Sequence, residues 1–413
     1  MNIAAFPPSL LLMVTAVLVA VSPNSRTRSI GLAGVAITAV AVGLLPNGLL
    51  LEVGFMKYAV ALVLNDASRS AAAWAVLAGA ALAVFLSPFL GENDRRSAVA
   101  GLLSAAFGLG VVFSGDLIAI FLQWELLALS ITALIFMSGT EQARAAGIRF
   151  LLLQLSGGFL FKYGMHGYEA SFGSYLLSAA TQPVVEIPGG WALIAGACIK
   201  LGAWPVAMVL PDAARGIARS GSLWLGIALP VSALMVLNIL LTPLPTEFIA
   251  LGLVMAAYAI VYGIAARTAM VRMARIGVGL TGLALALGAS GSETMGWAIT
   301  SLLPAVYALG FFLAAGAAAS QTDRERRTAE VLVDTDWLWR TGLFRVASAL
   351  AQVSFGLRDL IAQTGFGLVT AVQRLARQYT GVGGLLSRTW GIGYTAIWVI
   401  GLLALYAMIY LTL

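Results

Sequence analysis

The 413-residue sequence has one cysteine, one histidine and few charges. With Cys198 alone, no intrachain disulfide can close, and neither an iron–sulfur cluster nor a cysteine-ligated zinc site can be built. His166 falls in a predicted loop, which argues against a histidine-ligated haem inside a membrane. Surface histidines are more often inert than ligands, and His166 is assigned no role. No cofactor is therefore expected, and any redox chemistry belongs to partner subunits. The sequence also has no metal-ligand cluster, no nucleophile–base arrangement and no phosphate loop, so it supplies no catalytic constellation of its own. Whether it serves as a subunit of an enzyme is left open. The first 22 residues contain no Lys or Arg. The basic start of a cleaved signal peptide is thus missing, and this stretch is read as a first permanent span.

Charged residues make up 10% of the chain and hydrophobic residues 60%, whereas a soluble domain carries about 25% charged residues. These values predict an all-α polytopic membrane protein, because a bilayer leaves backbone groups no other partner and the apolar runs are too long for barrel strands. The net charge of +6 does not point to nucleic acid. Most of the arginines lie in short loops between spans, where the positive-inside tendency accounts for them.

Apolar windows predict twelve spans, at 5–22, 29–46, 70–90, 97–115, 117–138, 145–165, 189–210, 222–242, 247–266, 274–290, 295–319 and 392–412. One set of loops holds Arg26 and Arg28, Arg95 and Arg96, Arg144, Arg215 and Arg219, Arg267, Arg272 and Arg275, and Arg324, Arg326 and Arg327. The opposite set holds chiefly Lys57, Arg69 and Lys162. The first set is expected to be cytoplasmic, with both termini outside a bacterial inner membrane. Residues 47–69, with Glu52, Lys57 and Asp66, are too polar to span and read as an irregular or strand-like outer segment. Residues 166–188 read as a second outer loop.

The run from Asp116 to Ser130 carries one internal carboxylate, Glu125. A charge at that depth is costly and usually faces a partner in the protein interior. Lys200, also inside an apolar span, is the best candidate. One acid and one base within the membrane form the pattern of a proton or cation path. The alternative is a static buried pair that fixes helix register. Pro205 removes a backbone donor and permits a break beside Lys200, whose freed carbonyls and water could line a cavity. The plainer alternative is a proline kink with Lys200 reaching toward an interface. Burial disfavours the ammonium and a carboxylate favours it, so opening the pair would switch whether Lys200 holds its proton. Asp212 is expected to cap the broken helix or sit at a cytoplasmic entrance. Asp66, Asp116 and Arg149 are weaker candidates, better placed at membrane interfaces.

Residues 341–380 differ from everything before them. Arg345, Ser348, Gln352, Asp359, Gln363, Thr370, Arg374 and Arg377 recur at a helical period opposite an apolar face. The pattern predicts a long amphipathic helix lying on the membrane surface or against neighbouring subunits.

Trp124–Glu125, Lys200 and Leu210–Pro211–Asp212–Ala213 together resemble the antiporter-like subunits of respiratory complex I, Mrp-type multisubunit cation/proton antiporters and membrane-bound hydrogenases. Arg149–Phe150 matches the family's basic–aromatic pair in span six. The segment Asp334, Thr335, Asp336, Trp337, Leu338, Trp339, Arg340 resembles the region before the last span in the D branch of the Mrp type, as do Arg388–Thr389–Trp390, Gly391 and Trp398. The resemblance covers most of 60–320 and 330–413. It implies two inverted five-helix repeats, each with a half-channel, and a switching pair formed by Glu125 and Lys200. The chain departs from the pattern in its second half. The family's relay histidine in span eight falls at about Leu225. The stretch Leu303–Ala308 lacks the family's histidine and lysine, the lysine position being Ala308, and two later spans are missing. Thr300, Ser301 and Tyr307 are the polar groups left there, and residues of these types more often pack helices than relay protons.

The organisation expected is therefore four N-terminal spans at 1–115 and a first half-channel at 116–242, followed by a degenerate second half at 243–320. A loop and amphipathic helix occupy 321–391 and a last span 392–413. The resemblance implies a subunit that moves protons, with sodium as a second candidate ion, through a half-channel of Glu125, Lys200, Asp212 and Arg149. Its partners would be other membrane subunits, including other antiporter-like ones, and the lipid bilayer. The alternative is a non-conducting structural or coupling subunit of a complex I-like, Mrp-like or inorganic-carbon-uptake complex.

Overall fold

Helices dominate the described part of residues 8–318 in the computed structural model. It describes residues 2–3, 6–45, 48–55, 58–64, 67–87, 95–217, 219–241, 243–264, 266 and 268–318. All of these fall in one compact unit, Met1–Thr335. The predicted amphipathic helix at 341–380 and the last span at 392–412 lie outside the described residues.

Thirteen α-helices are described. They are α1 (Pro8–Val21), α2 (Thr27–Leu44), α3 (Ala67–Leu86), α4 (Arg95–Val112), α5 (Leu117–Phe136), α6 (Glu141–Phe172) and α7 (Gly190–Leu201), then α8 (Val209–Gly216), α9 (Arg219–Leu240), α10 (Glu247–Ile264), α11 (Ala269–Ala289), α12 (Glu293–Thr300) and α13 (Leu303–Ala318). Seven of the described helices are long and apolar enough to cross a membrane. The chain is an integral, multi-pass membrane protein of the helical kind.

The polar segment at 47–69 is a hairpin of β2 (Gly48–Phe55) and β3 (Tyr58–Leu64), edged by β1 (Asn2–Ile3). Residues 113–117 extend this layer: Val63 N–H donates to Phe113 O at 2.6 Å, and Gly115 N–H to Ala61 O at 2.8 Å. On the other side, Leu117 N–H donates to Tyr175 O and Leu177 N–H to Gly115 O, both at 3.0 Å. The start of α5 is thus stitched between two segments distant in sequence.

Three predicted boundaries need correction. His166 is not in a loop; α6 continues to Phe172 and ends where Gly173 adopts φ +68°, so His166 lies exposed on its last turns. The 32 residues of α6 make a helix about 48 Å long, longer than a hydrocarbon core of about 30 Å. The predicted span 295–319 is two helices, because Pro304 at the start of α13 cannot donate back into α12 and its ring would meet the carbonyl four residues earlier. Arg275 is not a loop residue; it is buried within α11, and its Nη1 donates to Tyr262 O at 2.5 Å.

Helices α6 and α7 approach closely through small residues, as membrane interfaces favour. A Cβ on Gly196 would stand 2.6 Å from Gly157 O, and one on Gly157 would stand 3.1 Å from Gly196 O. Around this seam α6 packs against α5 and α7, and α9 packs against α5 and α7.

Candidate functional site

The short helix α7 stops inside the protein. Its 12 residues rise about 18 Å, little more than half a hydrocarbon core. Gly202, at φ +71°, supplies the left-handed residue that ends it. Gly202 N–H donates to Ile199 O at 3.0 Å, and Ala203 N–H to Cys198 O at 2.9 Å. The break thus begins ahead of Pro205, at Gly202. Lys200 occupies the last turn of α7, where the negative end of the helix dipole favours a cation.

Glu125, on α5, meets it there. Lys200 Nζ donates to Glu125 Oε1 at 2.5 Å. The lysine side chain is 1% exposed and the glutamate 18%. Gly158 of α6 makes the meeting possible, since a Cβ at that position would overlap Glu125 Oε1. Trp124 lies beneath the ammonium, with its ring centre 5.7 Å from Nζ. The indole is fixed by Ser232 on α9, whose Oγ accepts from Trp124 Nε1 at 3.3 Å, and by an edge-on contact with Phe161 at 5.4 Å. Four helices therefore hold the pair. Gln154, one turn before Gly158 on α6, is fully buried, and its Nε2 donates to the backbone carbonyl of Lys200 at 3.5 Å. Glu125 Oε2 and Gln154 Oε1 are buried and accept no hydrogen bond from the described residues.

Arg149 and Asp212 are also brought together. Arg149 Nε and Nη2 both lie 2.7 Å from Asp212 Oδ2. Arg215 Nη1 is 3.7 Å from Asp212 Oδ1. Asp212 sits in the first turn of α8, so it ties that short helix to α6 near the end where α6 begins.

Asp116 plays a different part. It is buried and caps α5, with Oδ1 accepting from Ala119 N–H at 2.8 Å and Oδ2 from Ala61 N–H at 2.6 Å. Burial pushes its carboxyl up to about 6 from an ordinary 3.8, against the lowering effect of the backbone donors. Asp66 lies outside the described residues.

The second half offers no comparable pair at the predicted positions. Leu225 and Ala308 are buried apolar residues. Thr300 Oγ1 donates to Gly296 O at 2.9 Å and Ser301 Oγ to Ala298 O at 2.6 Å, each within its own helical turn. Tyr307 is buried, and its ring fills the place left by Gly226 on α9 and Gly277 on α11.

The sequence reading missed Gln154, Ser232 and Gly158. Gln154 left a signal, being a lone amide in an apolar span. Ser232 and Gly158 left none, because their roles depend on which helices become neighbours.

Residues 114–331 match the family described as NADH:quinone oxidoreductase/Mrp antiporter, TM. The chain belongs to this family. No curated protein matches it. Many solved chains share its fold, three of which illustrate the likeness. A chain of the Mrp complex from Dietzia sp. DQ12-45-1b is similar with a TM-score of 0.68 at 21% identity, over 78% of this chain and 39% of that one. The present chain thus spans well under half of that relative's length. A chain of respiratory complex I from Thermus thermophilus, solved with bound aureothin, gives 0.62 at 18% identity, over 74% and 69%. A chain of the archaeal membrane-bound sulfane sulfur reductase gives 0.64 at 15%, over 75% and 69%. The antiporter-like fold expected from Trp124–Glu125, Lys200 and Leu210–Pro211–Asp212–Ala213 is therefore the fold of this chain.

Proposed function

We propose that this protein is a membrane subunit of a multisubunit ion-translocating complex and that it moves protons through its first half, with Glu125 and Lys200 as the switching pair. The observation that carries this reading is the 2.5 Å pair itself, formed by a buried lysine at the broken end of α7 and a partly exposed glutamate on α5. A lysine held by a carboxylate keeps its proton; separated from it inside an apolar protein, it gives the proton up. The broken end of α7 lies inside the protein, where an interrupted helix can border a hydrated path. Arg149 and Asp212 stand near the start of α6 as the charged cluster on the side we assign to the cytoplasm. Sodium coupling is a second possibility for the transported ion, since the same carboxylate could attract either cation.

The competing reading is a structural or coupling subunit. The apolar Leu225 and Ala308 and the self-bonded hydroxyls of Thr300 and Ser301 favour it for the second half. Conduction restricted to the first half, continued by a neighbouring subunit, reconciles both observations.

The test is ion-driven pH change in vesicles carrying the assembled complex, wild type against Lys200→Ala, with assembly checked in both. Flux lost with assembly retained supports translocation through this subunit. Unchanged flux makes the pair structural.

A further inference from the structure

We propose that Gln154 is a second station for the Lys200 side chain, the acceptor to which it swings when the Glu125 pair opens and at which it releases its proton; this inference rests on the switching role proposed above. An amide buried to completion within an apolar helix demands an explanation, and half of this one lacks a partner. Gln154 Nε2 donates to Lys200 O, whereas Gln154 Oε1 is buried without a donor among the described residues. Such an unmet acceptor in a low-dielectric site is expensive unless another state of the protein uses it.

The positions fit a swing of one helical turn. Glu125 Oε1 lies at Gly158, and Gln154 stands one turn earlier on the same face of α6, about 6 Å along the axis. The Lys200 backbone carbonyl is already at the level of Gln154, while its Nζ is at the level of Gly158. The lysine stem therefore runs between the two stations. Its four-carbon chain is flexible enough to fold back on rotation of its dihedrals. Gly157 and Gly158 put no side chain in the way.

The two stations suit different protonation states. A carboxylate only accepts, so Glu125 fits the ammonium. An amide both donates and accepts, so Gln154 can give Nε2–H to the lone pair of a neutral amine and take an amine N–H on Oε1. Moving from the first station to the second strips the ammonium of its counter-charge. One N–H bond then breaks, the proton passes to a water molecule, and the neutral amine stays on the amide. The movement is directed toward the start of α6, where Arg149 and Asp212 lie. Of the elements packed against α7, α9 carries no ionisable residue after Arg219, Lys162 and His166 on α6 are exposed, and Glu186 in the turn before α7 is exposed as well. Glu125 is the charged group paired with Lys200 among the described residues.

The experiment compares proton flux across pH in vesicles of the assembled complex for wild type, Gln154→Met, Gln154→Glu and Lys200→Ala. Gln154→Met keeps the length and removes both hydrogen bonds; maximal flux should fall about tenfold, with the apparent affinity for the driving ion unchanged. Gln154→Glu makes both stations carboxylates; flux should fall at least as far, and the remaining activity should move to more alkaline pH by about one unit. Wild-type rate and pH profile in both variants would overturn the proposal. Failure of both to assemble would overturn it too, by giving the amide a structural role. If Lys200→Ala transports normally, the switching reading itself fails; if Lys200→Ala is inactive and the Gln154 variants are normal, only the second station fails.

Discussion

Gly158 is the residue whose absence of a side chain lets Glu125 reach Lys200. Replacing it with alanine would push a methyl group into Glu125 Oε1. The carboxylate would have to withdraw from a lysine that is 1% exposed. An uncompensated buried charge costs about 3–5 kcal/mol, so Gly158→Ala should lower both stability and proton flux, flux by at least tenfold. Flux at the wild-type rate would show that the pair can form without this close approach. Asp116 offers an independent check in acid. Its carboxyl is raised to about 6 from an ordinary 3.8, so the protonated form is the one the fold prefers. Its contribution to stability is therefore full below about pH 4 and is lost as pH rises through 6. Thermal unfolding of the complex should show this loss between pH 4 and 6 in wild type, relative to Asp116→Asn, which has no such titration. A constant difference between the two across that window would contradict the assignment. At this scale the sequence was informative where a charge stood out against an apolar run, as with Glu125 and Lys200. It was silent on Gly158 and Ser232, whose importance arises from contacts between helices.

Helix α7 and the α12–α13 pair show how the elements divide the labour. Both are spans broken by local chemistry, at Gly202 in the first case and before Pro304 in the second. Of these two breaks, only the one at α7 places a charged side chain at a buried helix end. The hydroxyls at the other break bond within their own turns. Thr300→Val and Ser301→Ala should accordingly leave flux within about twofold of wild type, measured in the same vesicles. A tenfold loss from either would restore a proton path to the second half. The sequence placed most helices within a few residues, because their apolar runs and charged loops are unambiguous. It overlooked the extension of α6 to Phe172, since Gly167 and the Gly, Ser, Thr and Pro residues after it read as loop punctuation. In the folded protein Gly167 instead admits the chain entering α7, a Cβ there overlapping Pro188 O. It also read 295–319 as continuous, because hydropathy does not register a two-residue turn.

At the scale of the whole molecule, the proposed function places the chain among neighbouring subunits. Glu125 is 18% exposed on the described unit, in the middle of a helix apolar enough to span a membrane. Facing lipid, a carboxylate at that depth would be costly. A protein subunit covering this face removes the cost. The chain expressed without partners should therefore be recovered poorly or be inactive; a stable, transporting monomer would contradict this. The family-level fold was legible from a few motifs, and the antiporter-like architecture follows from them. The apolar identity of Leu225 and Ala308 was legible as well. What a sequence does not encode directly is whether an acid and a base that meet are a switch or a strut.

The assembled complex carrying Glu125→Gln and Lys200→Met together separates those two roles. Removing both charges leaves no buried ion unpaired, and such double replacements are often neutral or stabilising. A strut would be relieved by the double change, and flux would return toward the wild-type level along with assembly. A proton switch would not be rescued. We predict vesicles with normal assembly and at least a tenfold loss of proton flux. Wild-type flux in the double variant would contradict the central claim that this pair carries the proton.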